Sequence, residues 1–312
     1  MSTLCSALWK HTNIRPGGRV YPCCRFKSCV GKTDGDLSSV LHSDAYKSIR
    51  ASMLNNEKII GCEKCYYEES IGHKSLREEF NEKYDTDSVG LEYLEIGIDN
   101  LCNLVCDGCN SEFSTSWRAK EIREQGSANY DYMTIDNITS VPNTVRKILF
   151  LGGEPLITKR HLELLKLVED PSKVSVVYNT NAMYMPDLET ESIWDKFKNV
   201  RFIVSVDGVE EVAERVRGGT KWEKVKQFVH YAVTNYELEF NTVLHKNNFF
   251  DIENINSYVG QYNADWYINV LTYPKNLDIN TLDNQDKSYI KQTAERLELP
   301  TKDFIINHLD TN

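Results

Sequence analysis

The chain has no apolar run approaching the roughly 20 residues that a bilayer-spanning helix needs. It also lacks an excess of basic charge. Lys and Arg number 36 against 46 Asp and Glu, a formal net charge of −10. A general nucleic-acid groove carries a basic excess, so this balance argues against one. The opening MSTLCSALWKHTNIRPGG has none of the basic segment, long apolar stretch or small-residue cleavage site of a secretory signal. A cytoplasmic protein that binds neither membrane nor nucleic acid is expected. There is no internal repeat and no low-complexity tract. Cysteine is absent from all of the chain beyond Cys109.

The cysteines that are present are crowded. There are nine, an odd number: Cys5, Cys23, Cys24, Cys29, Cys62, Cys65, Cys102, Cys106 and Cys109. A secreted disulfide framework spreads an even set through a short chain, whereas clusters in a reducing compartment are more often metal ligands. The 312 residues, 41% hydrophobic and 26% charged, suffice for one large domain or for a barrel with a small appended module.

Three stretches differ in character. Residues 1–90 hold six of the nine cysteines, a turn at Pro16-Gly17-Gly18 and only short apolar runs. A helix is expected from Ser43 to Leu54, and a connecting helix and linker from Leu76 to Ser88. A segment this poor in apolar sequence is expected to need metal or docking to become rigid. From Leu91 onward, strand-like runs at 91–99, 147–153, 174–180, 201–208, 238–244 and 265–271 alternate with helical segments. Six strands with crossover helices predict an α/β fold with a parallel sheet over residues 91–275. A full eight-unit barrel commonly takes about 250 residues, so the expectation is a partial (β/α)6 TIM-like barrel or a doubly wound sheet. Residues 276–312 read as a helical carboxy-terminal extension.

The first of these strands runs into Cys102-Asn-Leu-Val-Cys106-Asp-Gly-Cys109, a C-x3-C-x2-C loop between strand and helix. Three thiolates on one short loop can hold three corners of a cubane and leave the fourth iron open. A tetrahedral zinc site would want a fourth ligand close by. The spacing and its place after the first strand resemble the radical S-adenosylmethionine (radical SAM) superfamily. Gly108 departs from the aromatic residue that many members carry before the third cysteine. Gly152-Gly153-Glu154-Pro155, ending the second strand, is similar to that family's GGEP-like motif. Glycine lets the backbone approach a ligand, and Glu154 with nearby carbonyls can accept from the SAM ammonium group. The resemblance further implies SAM contacts at Ser205 and Asp207 of SVDG, at Arg217, and at Asn179 and Asn181 of YNTNA. Hydroxyls and amides suit a ribose and a guanidinium suits a carboxylate.

The amino-terminal cysteines resemble the SPASM and twitch extensions of the same superfamily, which bind auxiliary iron–sulfur clusters. Cys5, Cys23, Cys62 and Cys65 are the expected ligands of one auxiliary [4Fe–4S] cluster, with Cys24 an alternative to Cys23. Most such extensions follow the barrel; here the module precedes it. Four thiolates suit zinc equally, and a non-catalytic zinc-binding interaction protein is the competing class. His245 and Tyr273 follow strands five and six, where such folds bind substrate.

The resemblance implies reductive cleavage of SAM at a [4Fe–4S] cluster to a 5′-deoxyadenosyl radical, which removes hydrogen from a substrate. It implies a flavodoxin or ferredoxin-type electron donor, and a peptide, protein or small-molecule substrate. Peptide crosslinking or epimerisation is the expected reaction type.

Overall fold

The computed structural model describes residues 3–33, 35–70 and 72–310. Its strands are β1 (His11–Arg15), β2 (Arg19–Tyr21), β3 (Gly31–Lys32), β4 (Tyr93–Gly97), β5 (Val105–Cys106), β6 (Lys147–Leu151), β7 (Ser175–Thr180), β8 (Asn199–Ser205), β9 (Arg217–Gly218), β10 (Glu237–Leu244) and β11 (Asp265–Val270). The six strands expected from alternation are β4, β6, β7, β8, β10 and β11, and all six form. A helix follows each of them, so the α/β class and the (β/α)6 pattern hold. Among the described residues, no helix is long and apolar enough to cross a membrane.

The chain packs as two units. The first comprises residues 1–100, 132–177 and 187–199. Here β4 pairs in parallel with β6, Tyr93 opposite Lys147 and Gly97 opposite Leu151. On its other side β4 pairs in parallel with β1, His11 opposite Tyr93 and Ile14 opposite Ile96. β2 and β3 continue this sheet antiparallel. The cysteine-rich segment therefore contributes three strands to the sheet that holds β4. Nor does it lack a core: Leu8, Ile14, Leu37, Leu41, Tyr46 and Met53 are buried. Each such side chain contributes roughly 1.5–3 kcal/mol by leaving water. Helix Asp44–Leu54 starts at Ser43, whose hydroxyl accepts from the Tyr46 amide, and turns Tyr46, Arg50 and Met53 inward. The Tyr46 hydroxyl then donates to Thr12 Oγ1 at 2.9 Å, which ties helix to strand.

The second unit comprises residues 101–131, 178–186 and 200–312. In it β10 pairs in parallel with both β8 and β11, while β5 and β9 form a short antiparallel pair. Helices Trp222–Asn235 and Ile252–Val259 cover one sheet face, where Phe202, Phe240 and Ile268 are buried. Phe228 meets Phe202 edge-on at 5.1 Å. Strand alternation sends Ser205, Asn241, Tyr267 and Asn269 to the opposite face.

Candidate metal centre

In the second unit the loop 102–109 is fixed by the backbone around it. Val105 pairs with Gly218 and Cys106 with Arg217, and the Asp107 amide donates to the Val216 carbonyl at 2.8 Å. Gly219, at φ +99°, lets the chain pass close to the loop; a Cβ there would lie 3.1 Å from the Asn103 carbonyl oxygen. Helix Thr115–Gln125 holds the other side. Ser114 caps it by accepting from the Trp117 amide, and the same hydroxyl donates to the Leu104 carbonyl at 2.7 Å. Ser116 Oγ donates to the Cys102 carbonyl at 2.8 Å, and Trp117 Nε1 to the Cys106 carbonyl at 2.9 Å. The carbonyls of two cysteines are thus pinned, which fixes the backbone that carries their thiols.

Burial pushes the Cys106 thiol up to about 12 and the Cys109 thiol up to about 11. As free thiols they would be neutral at pH 7, so iron must displace their protons on binding. Arg217 opposes this shift at Cys106. Its own charge is disfavoured by burial, but Cys106, once a thiolate, and Asp207 outweigh that and hold the guanidinium ionised. Arg217 Nη1 donates to Asp207 Oδ2 at 2.6 Å, and Asp207 Oδ1 accepts from the Val243 amide at 2.7 Å. Asn181 Nδ2 donates to Asn103 Oδ1 at 3.0 Å, inside the cysteine loop. Ser205 Oγ donates to Asn179 Oδ1 at 3.3 Å. The expected residues Asn181, Ser205, Asp207 and Arg217 thus all lie in the unit that carries the three cysteines, two of them bonded to one another.

Gly152, Gly153 and Glu154 belong to the first unit. Gly152 has φ +105°, and a Cβ there would sit 2.5 Å from the Asp99 carbonyl oxygen, so only glycine fits. The Gly153 amide donates to that same carbonyl at 3.0 Å. Glu154 is buried, its carboxylate accepting from the Leu156 amide at 3.2 Å.

Also in the first unit, Cys5, Cys23, Cys62 and Cys65 line one small pocket with Leu8, Pro22, Phe26 and Phe80. Cys24 and Cys29 are not part of that lining, and Cys29 Sγ donates to the Gly31 carbonyl at 3.0 Å. Burial pushes both the Cys5 and the Cys62 thiol up to about 12. Arg25 and Arg77 stand at the pocket wall, paired with Glu68 and Glu69. Beneath it His11 Nδ1 bonds the Pro22 carbonyl at 2.9 Å, and its Nε2 lies 3.5 Å from the buried Glu95 carboxylate. Burial raises the Glu95 carboxyl, but His11, Asn13 and Tyr93 outweigh it and leave it below the usual range.

Both cysteine sets fit iron–sulfur cubanes: soft thiolates, apolar walls and cations close by. Among the described residues, no three or more His, Cys, Asp or Glu converge as ligands of a single ion would.

A (β/α)6 fold carrying a three-cysteine loop after its first parallel strand and a separate four-cysteine pocket defines an iron–sulfur protein of the SAM-cleaving class. Comparison with known proteins agrees. Residues 98–259 match the family model described as Radical SAM superfamily, and residues 5–66 match SPASM, an iron-sulfur cluster-binding domain. The chain belongs to the radical SAM superfamily. Its cofactors are a [4Fe–4S] cluster with SAM, together with auxiliary iron–sulfur binding in the SPASM segment.

A probable GTP 3′,8-cyclase of Sulfurisphaera tokodaii is 22% identical over 225 residues, covering 69% of this chain and 68% of that protein. A probable GTP 3′,8-cyclase of Methanocaldococcus jannaschii is 32% identical over 120 residues, 36% of each chain. Among solved structures, Streptococcus suis SuiB bound to S-adenosylmethionine aligns with a TM-score of 0.43 at 18% identity, covering 66% of this chain. This chain spans 45% of that SuiB chain.

Sequence reasoning missed the residues that grip the loop, namely Ser114, Ser116, Trp117 and Asn247, the last through a bond from its Nδ2 to the Asp107 carboxylate. Only Ser114 carried a legible sign, a serine three residues ahead of Trp117 at a helix start.

Proposed function

We propose that this protein is a radical SAM enzyme that removes a hydrogen atom from an uncharged, amide-bearing substrate such as a peptide segment. When bound, the cluster and SAM supply a 5′-deoxyadenosyl radical, formed by one-electron cleavage of the sulfonium C–S bond. The chain's own work is holding and orienting. Cys102, Cys106 and Cys109 bind three irons. In the second unit Arg217, bonded by Asp207, would take the SAM carboxylate and Ser205 and Asn181 the ribose; in the first, Glu154 with the Gly152-Gly153 backbone carries the motif that suits an ammonium group. Cys5, Cys23, Cys62 and Cys65 hold the auxiliary cluster, a second place for an electron to rest. A one-electron protein donor of the flavodoxin or ferredoxin type would supply the electron, and a cytoplasmic setting suits clustered cysteines that serve as metal ligands.

The observation that carries this reading is the C-x3-C-x2-C loop pinned by β9 and by Ser116 and Trp117. The substrate class rests on the face of β8, β10 and β11 opposite to helices Trp222–Asn235 and Ile252–Val259. Its charged residues lie at the amino-terminal ends of these strands, where Arg201 is bonded by Glu237 at 2.8 Å and Asp265 stands opposite Glu239, away from the carboxyl ends. Above them come neutral groups: Ser205, Asn241 and Asn269, the two amides bonded to each other at 2.7 Å. Such neutral groups pair with amides. The second reading, a nucleoside triphosphate substrate, is favoured by the cyclase relatives.

The test is 5′-deoxyadenosine formation by the reconstituted, dithionite-reduced enzyme, with GTP in one arm and short neutral capped peptides in another. Acceleration by peptide and none by GTP is expected. Acceleration by GTP alone establishes the second reading, and no 5′-deoxyadenosine in any arm rejects both.

A further inference from the structure

Two residues separate the second and third cysteines of the loop, Asp107 and Gly108, and each is touched by the end of a different strand. After β10, Asn247 Nδ2 donates to Asp107 Oδ2 at 2.7 Å. Asn247 is itself held, because its amide donates to His245 Nδ1 at 3.2 Å and its carbonyl accepts from Arg215 at 3.1 Å. After β11, Leu271 bonds back to β10 through its amide, which donates to the Leu244 carbonyl at 2.9 Å. Its side chain covers Gly108. A Cβ on Gly108, which has φ +76°, would lie 2.8 Å from Leu271 Cδ2 and 3.1 Å from Cδ1. The space that a larger residue before the third cysteine would take is therefore filled from β11. Since the Asp107 amide is already bound to Val216, the two-residue bridge is fixed by its backbone, its carboxylate and its open face.

We propose that Asn247 and Leu271 are positioning residues for the cluster, fixing the bridge and thereby the relative directions of the Cys106 and Cys109 thiolates. Through them the last two strands, whose open face we read as the substrate surface, reach the loop that binds iron. This rests on the loop being the catalytic cluster site.

The test uses full-length reconstituted enzyme, with electron paramagnetic resonance (EPR) of the reduced clusters before and after SAM addition, iron content and SAM affinity. Asn247→Asp sets two carboxylates against each other. It is expected to alter the SAM-induced change in the EPR spectrum and to weaken SAM binding about tenfold. Adding Asp107→Asn recreates the bond with its partners exchanged and should return both readouts to within about twofold of wild type. Leu271→Ala should change the spectrum, whereas Leu271→Met, which refills the space, should not. Wild-type spectra and SAM affinity in both Asn247→Asp and Leu271→Ala overturn the proposal. So does failure of the exchanged pair to recover what Asn247→Asp lost. Removal of all three loop cysteines separates the underlying reading from this one: SAM cleavage that survives it rejects the loop as the catalytic site, whatever Asn247 does.

Discussion

Arg217 illustrates how a single side chain joins stability and chemistry. It lies beside the Cys106 thiol and is held by Asp207, so Asp207→Asn leaves a largely buried cation without its counter-charge. That is expected to cost roughly 3 kcal/mol, read as a lowered urea midpoint, together with weaker SAM binding by calorimetry. The cysteines give a plainer outcome. Replacing Cys102, Cys106 and Cys109 by Ala should take bound iron from about eight to about four per chain, if each site holds a cubane, and abolish 5′-deoxyadenosine formation. His161, buried beside Phe150, supplies a pH dependence. Burial pushes its imidazole down to about 4 from 6.5. The unfolded chain then binds more protons than the folded one between those values, so stability falls as pH drops through that window. The loss approaches roughly 3 kcal/mol at its acid end. Urea titrations at pH 7 and pH 5 should show the fall in wild type and much less of it in His161→Leu.

Elements that bury an apolar stripe were legible in the sequence, and elements that bury polar groups were not. β8 and β10 announce themselves through Phe202, Val204, Phe240 and Leu244 at alternate positions, and helix Asp44–Leu54 through Tyr46 and Met53. β1 reads HTNIR, which resembles a loop, yet His11, Thr12 and Asn13 are all buried because Glu95, Pro22 and Tyr21 accept their hydrogen bonds or face them. Nothing in a one-dimensional pattern shows partners 80 residues away. The cysteine loop was legible because its ligands are local, whereas the Asn247 grip comes from 140 residues downstream. The same contrast bears on the auxiliary pocket. Since the segment around it has its own buried core, Cys62→Ala/Cys65→Ala should loosen the helix Glu63–Ser70 and the 22–30 loop while leaving β1 protected. Hydrogen exchange of the reconstituted double variant checks this; fast exchange across β1 would mean that metal holds the strand as well.

At the scale of the whole molecule, the two cysteine sets fall in different packing units; the SPASM match lies within the first, whereas the radical SAM match runs through stretches of both. The first unit gathers residues from three stretches of sequence and the second from three others, interleaved along the chain. A boundary drawn in sequence at residue 90 cannot express that, because β4 pairs with strands on both sides of it. The net charge of −10 was informative about partners, and its concentration at Glu237, Glu239 and Asp265 became visible only once the strands were in register.

The pairing of β1 with β4 also makes the amino-terminal segment an edge guard. With it in place, β4 has a neighbour on either side. Without it, a strand bearing Leu94 and Ile96 would show a row of unpaired amides and carbonyls to any other chain with a free edge. A chain shortened to residues 91–312 is therefore expected to self-associate on size exclusion, with or without iron. The full-length Cys62→Ala/Cys65→Ala protein, which keeps β1 but loses the pocket ligands, should elute as wild type does. A shortened chain that stays monomeric and folded would show that β4 tolerates an open side.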